Sequence, residues 1–163
     1  MTRTRSEYRL DDLETLPVDG VATTGAISVR LPGAADRDEL AALLLAAYRG
    51  TVDDEGEDLA DAIEAIEHYD SILLPGPSVV VTDCAQIVAM SFVVVVDDVH
   101  YIDPVVVAPT HQRRHVGRDS VVTSLRALAA DGVTSVGATI TDGNVASERL
   151  FAALGFRRVG SWG

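Results

Sequence analysis

The sequence predicts a single mixed α/β domain, a central sheet flanked by helices. Three observations carry this reading. Runs of β-branched residues centred on Val80, Val94 and Val106 have the continuous apolar character of buried strands. Strand patterns cluster between residues 78 and 107, after which helix and strand patterns alternate, an order that builds a mixed sheet. Hydrophobic residues make up 47% of the 163-residue chain but aromatics only 5%, so the core is aliphatic and large enough for one domain.

Residues 1–24 read as an N-terminal extension ahead of a domain spanning 25–163. They are polar, mixed in charge and punctuated by Pro17 and Gly20, an arm that is either disordered or docked on a neighbour. A short strand follows over 27–31. A helix then starts near Asp36, with Glu39 three residues on and Leu40, Leu43 and Leu44 on its inner face. A second, acidic helix covers 57–69. Strands follow at 78–82, 87–96 and 99–107, with Asp97 and Asp98 as the hairpin turn between the last two. A helix carrying Val116, Val121, Leu125 and Leu128 comes next, then a strand at 135–141. The last helix is capped by Asn144 and stopped by Gly155, and a final strand begins at Phe156.

Composition excludes several function classes. A net charge of −12 opposes binding to nucleic acid or to anionic membrane surfaces. No apolar run nears the ~20 residues needed to cross a bilayer, and the first residues lack the apolar core of a secretory signal. The one cysteine, Cys84, rules out an internal disulfide framework and supplies too few ligands for a zinc site. No metal is therefore expected, and a reducing cytoplasm is. Cys84 itself reads as a small buried strand residue.

The segment from Val105 to Asp119, VVVAPTHQRRHVGRD, is where chemistry concentrates. Pro109 ends a strand, and the next helix opens with its free N–H groups near residues 114–118. Those donors and the helix dipole favour an anion. Arg113, Arg114 and Arg118, with His111 and His115, add side-chain charge to an otherwise acidic protein. The alternative is solvated surface charge.

This segment resembles the acyl-CoA-binding motif of the GNAT N-acetyltransferases: Gln or Arg, two residues, Gly, one residue, then Gly or Ala. It reads Gln112-Arg113-Arg114-His115-Val116-Gly117, with His115 at the first glycine position. A second match is NVASERLFAALGF from Asn144 to Phe156, similar to the family's Asn…aromatic…Leu-Gly-Phe helix. Together the similarity spans residues 27–160. It implies a mostly antiparallel sheet of six to seven strands with about four helices, in which two strands splay apart to hold acetyl-CoA. It also implies attack of a primary amine on the thioester. Backbone groups of the Val105, Val106 and Val107 strand would pair with pantetheine, the Val107 N–H polarising the thioester carbonyl. The N–H groups from Gln112 through His115, Val116 and Gly117 to Arg118 and Asp119 would hold the pyrophosphate, and Asn144 the pantetheine arm. Phe151 stands where relatives carry a tyrosine that protonates the thiolate, and a phenyl ring has no proton to give.

For the base, Tyr101 and Asp103 share strand parity and so one face of the sheet, whereas His100 points to the other. Relatives often carry a glutamate near Tyr101. Asp103 is the better base if burial raises its pKa, and otherwise caps a bulge ahead of Pro104, with a water relay as a third route. Between the first two helices, Asp53, Asp54, Glu55, Glu57 and Asp58 either attract a cationic amine or form a solvated helix start. Tyr48 and Tyr69 either line the acceptor pocket or pack on the sheet. Many relatives dimerise through sheet edges, so residues 93–96 are buried by a partner copy or by the chain's own helices. A family member lacking proton-transfer groups would instead be a non-catalytic acyl-CoA sensor. A nucleotide-binding module is disfavoured, because the chain has no lysine for a phosphate-binding Gly-Lys-Ser/Thr loop.

Overall fold

The computed structural model describes residues 3–16 and 26–162. Among these, the order is β1 (Arg5–Leu10), β2 (Ile27–Arg30), α1 (Arg37–Tyr48), α2 (Leu59–Ile72), β3 (Val79–Asp83), β4 (Gln86–Val96), β5 (Val99–Val107), α3 (Val116–Ala130), β6 (Val136–Thr141), α4 (Val145–Ala153) and β7 (Arg157–Trp162). One seven-stranded sheet runs β2-β3-β4-β5-β6-β1-β7. Every neighbouring pair is antiparallel except β5–β6.

Local signals decide where the elements begin and end. The Asp58 side chain accepts the Asp61 N–H at 3.0 Å and the Asp61 carboxylate accepts the Asp58 N–H at 2.9 Å, a reciprocal cap that starts α2. The expected cap on α1 takes another form. Asp36 accepts the Gly33 N–H at 2.7 Å and pairs with Arg30, while Glu39 reaches the Ile87 N–H at 2.6 Å and ties the helix to β4. Asp97 and Asp98 both have positive φ, 48° and 63°, as a two-residue hairpin turn with the right twist requires.

Helices cover both faces of the sheet. Leu40, Leu43 and Leu44 of α1 and Ile66 of α2 pack on Val80, Met90, Phe92 and Val106. On the other face Val121, Leu125 and Leu128 of α3 and Phe151 of α4 pack on Val93, Ile102, Ala138 and Ile140. Val93 and Val94 are buried within the chain, while Val95 and Val96 are exposed at the hairpin. Cys84 is not a buried strand residue: it is exposed in the β3–β4 turn at φ 48°. No helix among the described residues is long and apolar enough to cross a membrane.

The N-terminal segment departs most from expectation. Residues 5–10 are no arm but strand β1, inserted between β6 and β7 and antiparallel to both. Ser6 and Leu10 are buried, and Tyr8 and Leu10 join the core under α3 and α4. Arg5, Glu7 and Arg9 alternate onto the opposite face, which explains the misreading: a strand with three charges looks solvated until its other face is seen to be covered. Leu13, just after β1, is buried in the same core, and residues 1–2 and 17–24 of the predicted extension lie outside the described residues.

Candidate active site

β5 and β6 pair only at Tyr101–Gly137 and Ile102–Ala138. From Asp103 to Val107 the outer edge of β5 has no strand beside it among the described residues. Ala108 donates its N–H to the Val88 carbonyl at 2.8 Å. By strand alternation the N–H groups of Val105 and Val107 therefore face away from β4, into the opening. A cleft of about 1340 Å³ fills this splay. Its walls are Val105–Val107, the loop into α3, the inner side of α4, and Tyr48, Thr51, Val52 and Asp53.

The loop into α3 is pinned at its base. His111 Nε2 donates to Asp83 Oδ2 at 2.8 Å, and this bond holds the Asp83 carboxyl below its usual range. Gln112 Nε2 donates to the Val107 carbonyl at 3.3 Å. Arg113 and His115 both adopt φ 62°, so the position where the motif has glycine keeps the left-handed backbone that glycine favours. Gly117 is needed for close approach: a Cβ there would lie 3.0 Å from Val107 Cγ2 and 3.4 Å from Leu150 Cδ1.

Most residues expected at the cofactor line this cleft: Val105, Val106, Val107, Gln112, Arg113, His115, Val116, Gly117, Arg118, Asp119 and Asn144. Arg114 does not; its side chain is exposed outside the lining. Phe151 also lies outside it, buried with its ring 4.9 Å from Phe156 in an edge-on contact. The cause is helical spacing, because Ala146, Arg149, Leu150 and Ala153 share the cleft side of α4 and Phe151 turns into the core. Arg149 was missed by sequence reading; only that spacing would have found it. Asn144 faces the cleft with both polar atoms engaged. Its Oδ1 accepts the Ser147 N–H at 3.1 Å and its Nδ2 donates to Asp53 Oδ2 at 2.8 Å. Thr141 donates to Asp53 Oδ1 at 2.6 Å, so Asp53 fastens the loop after α1 to the start of α4.

Asp103 sits at the inner end of the splay. The Tyr69 hydroxyl donates to its Oδ2 at 3.4 Å, and Arg5 Nη2 lies 3.7 Å from Oδ1. Burial pushes the Asp103 carboxyl above its usual range, opposed chiefly by the Arg5 charge. Burial, reinforced by Asp103, raises the Tyr48 and Tyr69 hydroxyls far above their ordinary values, so both remain protonated donors.

Tyr101 shares the face of Asp103 but has a different setting. Its hydroxyl donates to Glu7 Oε1 at 3.0 Å and its ring meets Trp162 edge-on at 5.0 Å. It is a pillar between β5 and β1. Tyr101→Phe is accordingly expected to cost about 1 kcal/mol of stability, read by thermal unfolding, with any catalytic rate within a few-fold of wild type. Among the described residues no group of three or more His, Cys, Asp or Glu could hold a metal ion.

The fold has known counterparts. A GCN5-related N-acetyltransferase from Sphaerobacter thermophilus superposes with a TM-score of 0.67 at 15% identity, over 98% of this chain and 49% of that one. YncA of Salmonella typhimurium, solved with its cofactor acetyl-CoA, gives 0.61 at 21% identity over 82% and 80%. The ribosomal-protein-S18-alanine N-acetyltransferase of Escherichia coli gives 0.64 at 18% over 82% and 79%. This chain spans 48% to 61% of the length of the first four such structures. No curated protein matches the sequence. The family model described as acetyltransferase (GNAT) family matches residues 37–156, well over half of the sequence, and the chain belongs to that family.

Proposed function

We propose that this protein is an acetyl-CoA-dependent N-acetyltransferase that acetylates a primary amine by direct attack. The observation that carries the reading is the unpaired β5 edge, which runs from the anion loop at one end to a desolvated carboxylate, Asp103, at the other. Acetyl-CoA supplies an activated acetyl group as a thioester. Val105 and Val107 offer the pantetheine arm strand-like hydrogen bonds, and the Val107 N–H draws charge onto the thioester carbonyl. The first turn of α3, with Arg113 and Arg118 beside it, binds the pyrophosphate, and Arg149 faces it from α4. These groups fit an extended, polyanionic ligand.

At neutral pH an amine arrives protonated. Asp103 accepts that proton, leaving a neutral nitrogen to attack the carbonyl carbon as the C–S bond breaks. The second amine proton leaves with the thiolate or to water. With Phe151 in the core, thiolate departure relies on the low basicity of a thiol of pKa about 8.5. Asp53 and the acidic residues after it favour a cationic acceptor. One specific pair of observations favours a second reading, a non-catalytic acyl-CoA sensor: His115 in the loop and Phe151 out of the cleft. Such a protein binds CoA and turns over no amine.

The test is thermal unfolding with acetyl-CoA, using ATP and NAD as controls, followed by a screen of amines for released CoA. At a hundred times the dissociation constant a ligand stabilises by about 2.7 kcal/mol, roughly 5–10 °C for a chain of this size. No rise with acetyl-CoA overturns the reading. His115→Gly sharpens the test. It relieves roughly 1 kcal/mol of left-handed strain and adds a similar cost through the freer unfolded chain, so the unfolding temperature shifts by at most a few degrees. Its acetyl-CoA affinity is expected to rise, because no Cβ then crowds the loop.

A further inference from the structure

Arg5 is the charged residue whose setting the cofactor cleft does not explain. It lies on β1, opposite Thr141 and Trp162, and outside the residues 37–156 that define the family match. Its Nη2 donates to the Thr139 carbonyl at 3.2 Å, one residue beyond the last β5–β6 pair, and so marks the point where the strands part. The same nitrogen is 3.7 Å from Asp103 Oδ1. Its Nε is buried with no partner, a cost that a surface arginine avoids by turning its head into water.

We propose that Arg5 is a positioning residue for Asp103, carried to the base by the inserted N-terminal strand: its guanidinium charge sits against the carboxylate and turns Oδ1 inward, leaving Oδ2 toward Tyr69 and the acceptor. This rests on the reading of Asp103 as the base. The groups facing Asp103 are Arg5 from β1, Tyr69 from α2, Tyr48 from α1 and Asp53 from the loop between those helices. Arg5 is the one cation among these four. Tyr69 favours the charged carboxylate by its hydrogen bond, and the Asp53 charge opposes it.

The experiment is a carboxyl carbon NMR titration of Asp103 in the whole protein, compared among wild type, R5Q and R5K. In R5Q the midpoint is expected about one pH unit higher, a tenfold change in the ionisation constant, and in R5K close to wild type. With a turned-over amine, the acid limb of kcat/KM moves with it. An unchanged midpoint in R5Q overturns the proposal. Because R5Q can disturb β1, the guanidinium nitrogen resonances of Arg5 in the wild type give a second reading. They are expected to shift through the Asp103 midpoint and to lose that shift in D103N; resonances that ignore the midpoint overturn the proposal equally. Neither readout needs turnover. Absent acetyl transfer with an intact Arg5–Asp103 coupling therefore counts against the base and not against the pairing.

Discussion

Asp103→Asn is expected to lower amine acetylation by about 10²–10⁴-fold while the fold persists, measured as kcat/KM for a turned-over amine with a melting curve alongside. The pH dependence gives the sign. Wild-type kcat/KM falls as pH drops through the raised Asp103 value, above the ordinary carboxylate range, because the protonated acid cannot accept a proton. The variant's residual rate lacks that limb. Stability moves the opposite way. Burial makes the folded chain hold the Asp103 proton more tightly than the unfolded chain does. Unfolding free energy therefore declines as pH rises from the ordinary carboxylate range through the raised value, and that loss is complete once pH lies above the raised value. Asparagine carries no charge to desolvate, so the variant should melt no lower than wild type at any pH above the raised value. A variant with wild-type kinetics removes Asp103 from the chemistry.

Gly137→Ala is expected to destabilise by about 1–3 kcal/mol, a fall of roughly 3–10 °C in melting temperature. A Cβ at Gly137 falls 2.6 Å from Tyr101 Cδ1 and closer still to Cε1, and this ring cannot swing aside easily. Trp162 closes one side of it and the Glu7 bond holds its hydroxyl. Gly137 also forms one of the two β5–β6 pairs that hinge the splay, so displacement of Tyr101 loosens the strand that carries Asp103. The melting curve of Gly137→Ala in the Tyr101→Phe background checks the cause. If ring and Cβ compete for one space, the two costs fail to add.

The elements from residue 27 onward could be read from sequence because each carries its own local signal. Hydrophobic period, the Asp97–Asp98 turn and the Gly155 stop depend on a few neighbours along the chain. The cofactor wall could be read because strand, proline, turn and helix N-terminus are contiguous from Val105 to Asp119. What escaped was relational. β1 looks like a tail because its charges Arg5, Glu7 and Arg9 are interpretable only once Tyr101 and Trp162 stand beside them. The misplacement of Phe151 and the omission of Arg149 share one cause. A motif aligns positions, whereas the helical spacing of α4 decides which side chains meet the cleft. The commitment of Asn144 to Asp53 joins residues 91 positions apart, a separation at which pattern says nothing.

Strand β1 lies far upstream of both strands it hydrogen-bonds and is made before either of them. Glu7 pairs with Thr139 and Gly160, so its two ladders must wait for β6 and for β7 in turn. Until then β1 has two open edges, and its insertion is a long-range closure that joins segments far apart in sequence. That insertion also decides when Asp103 first meets Arg5: the proposed tuning of the carboxylate waits for β1 to pair with β6, whatever the order in which the walls of the cleft form.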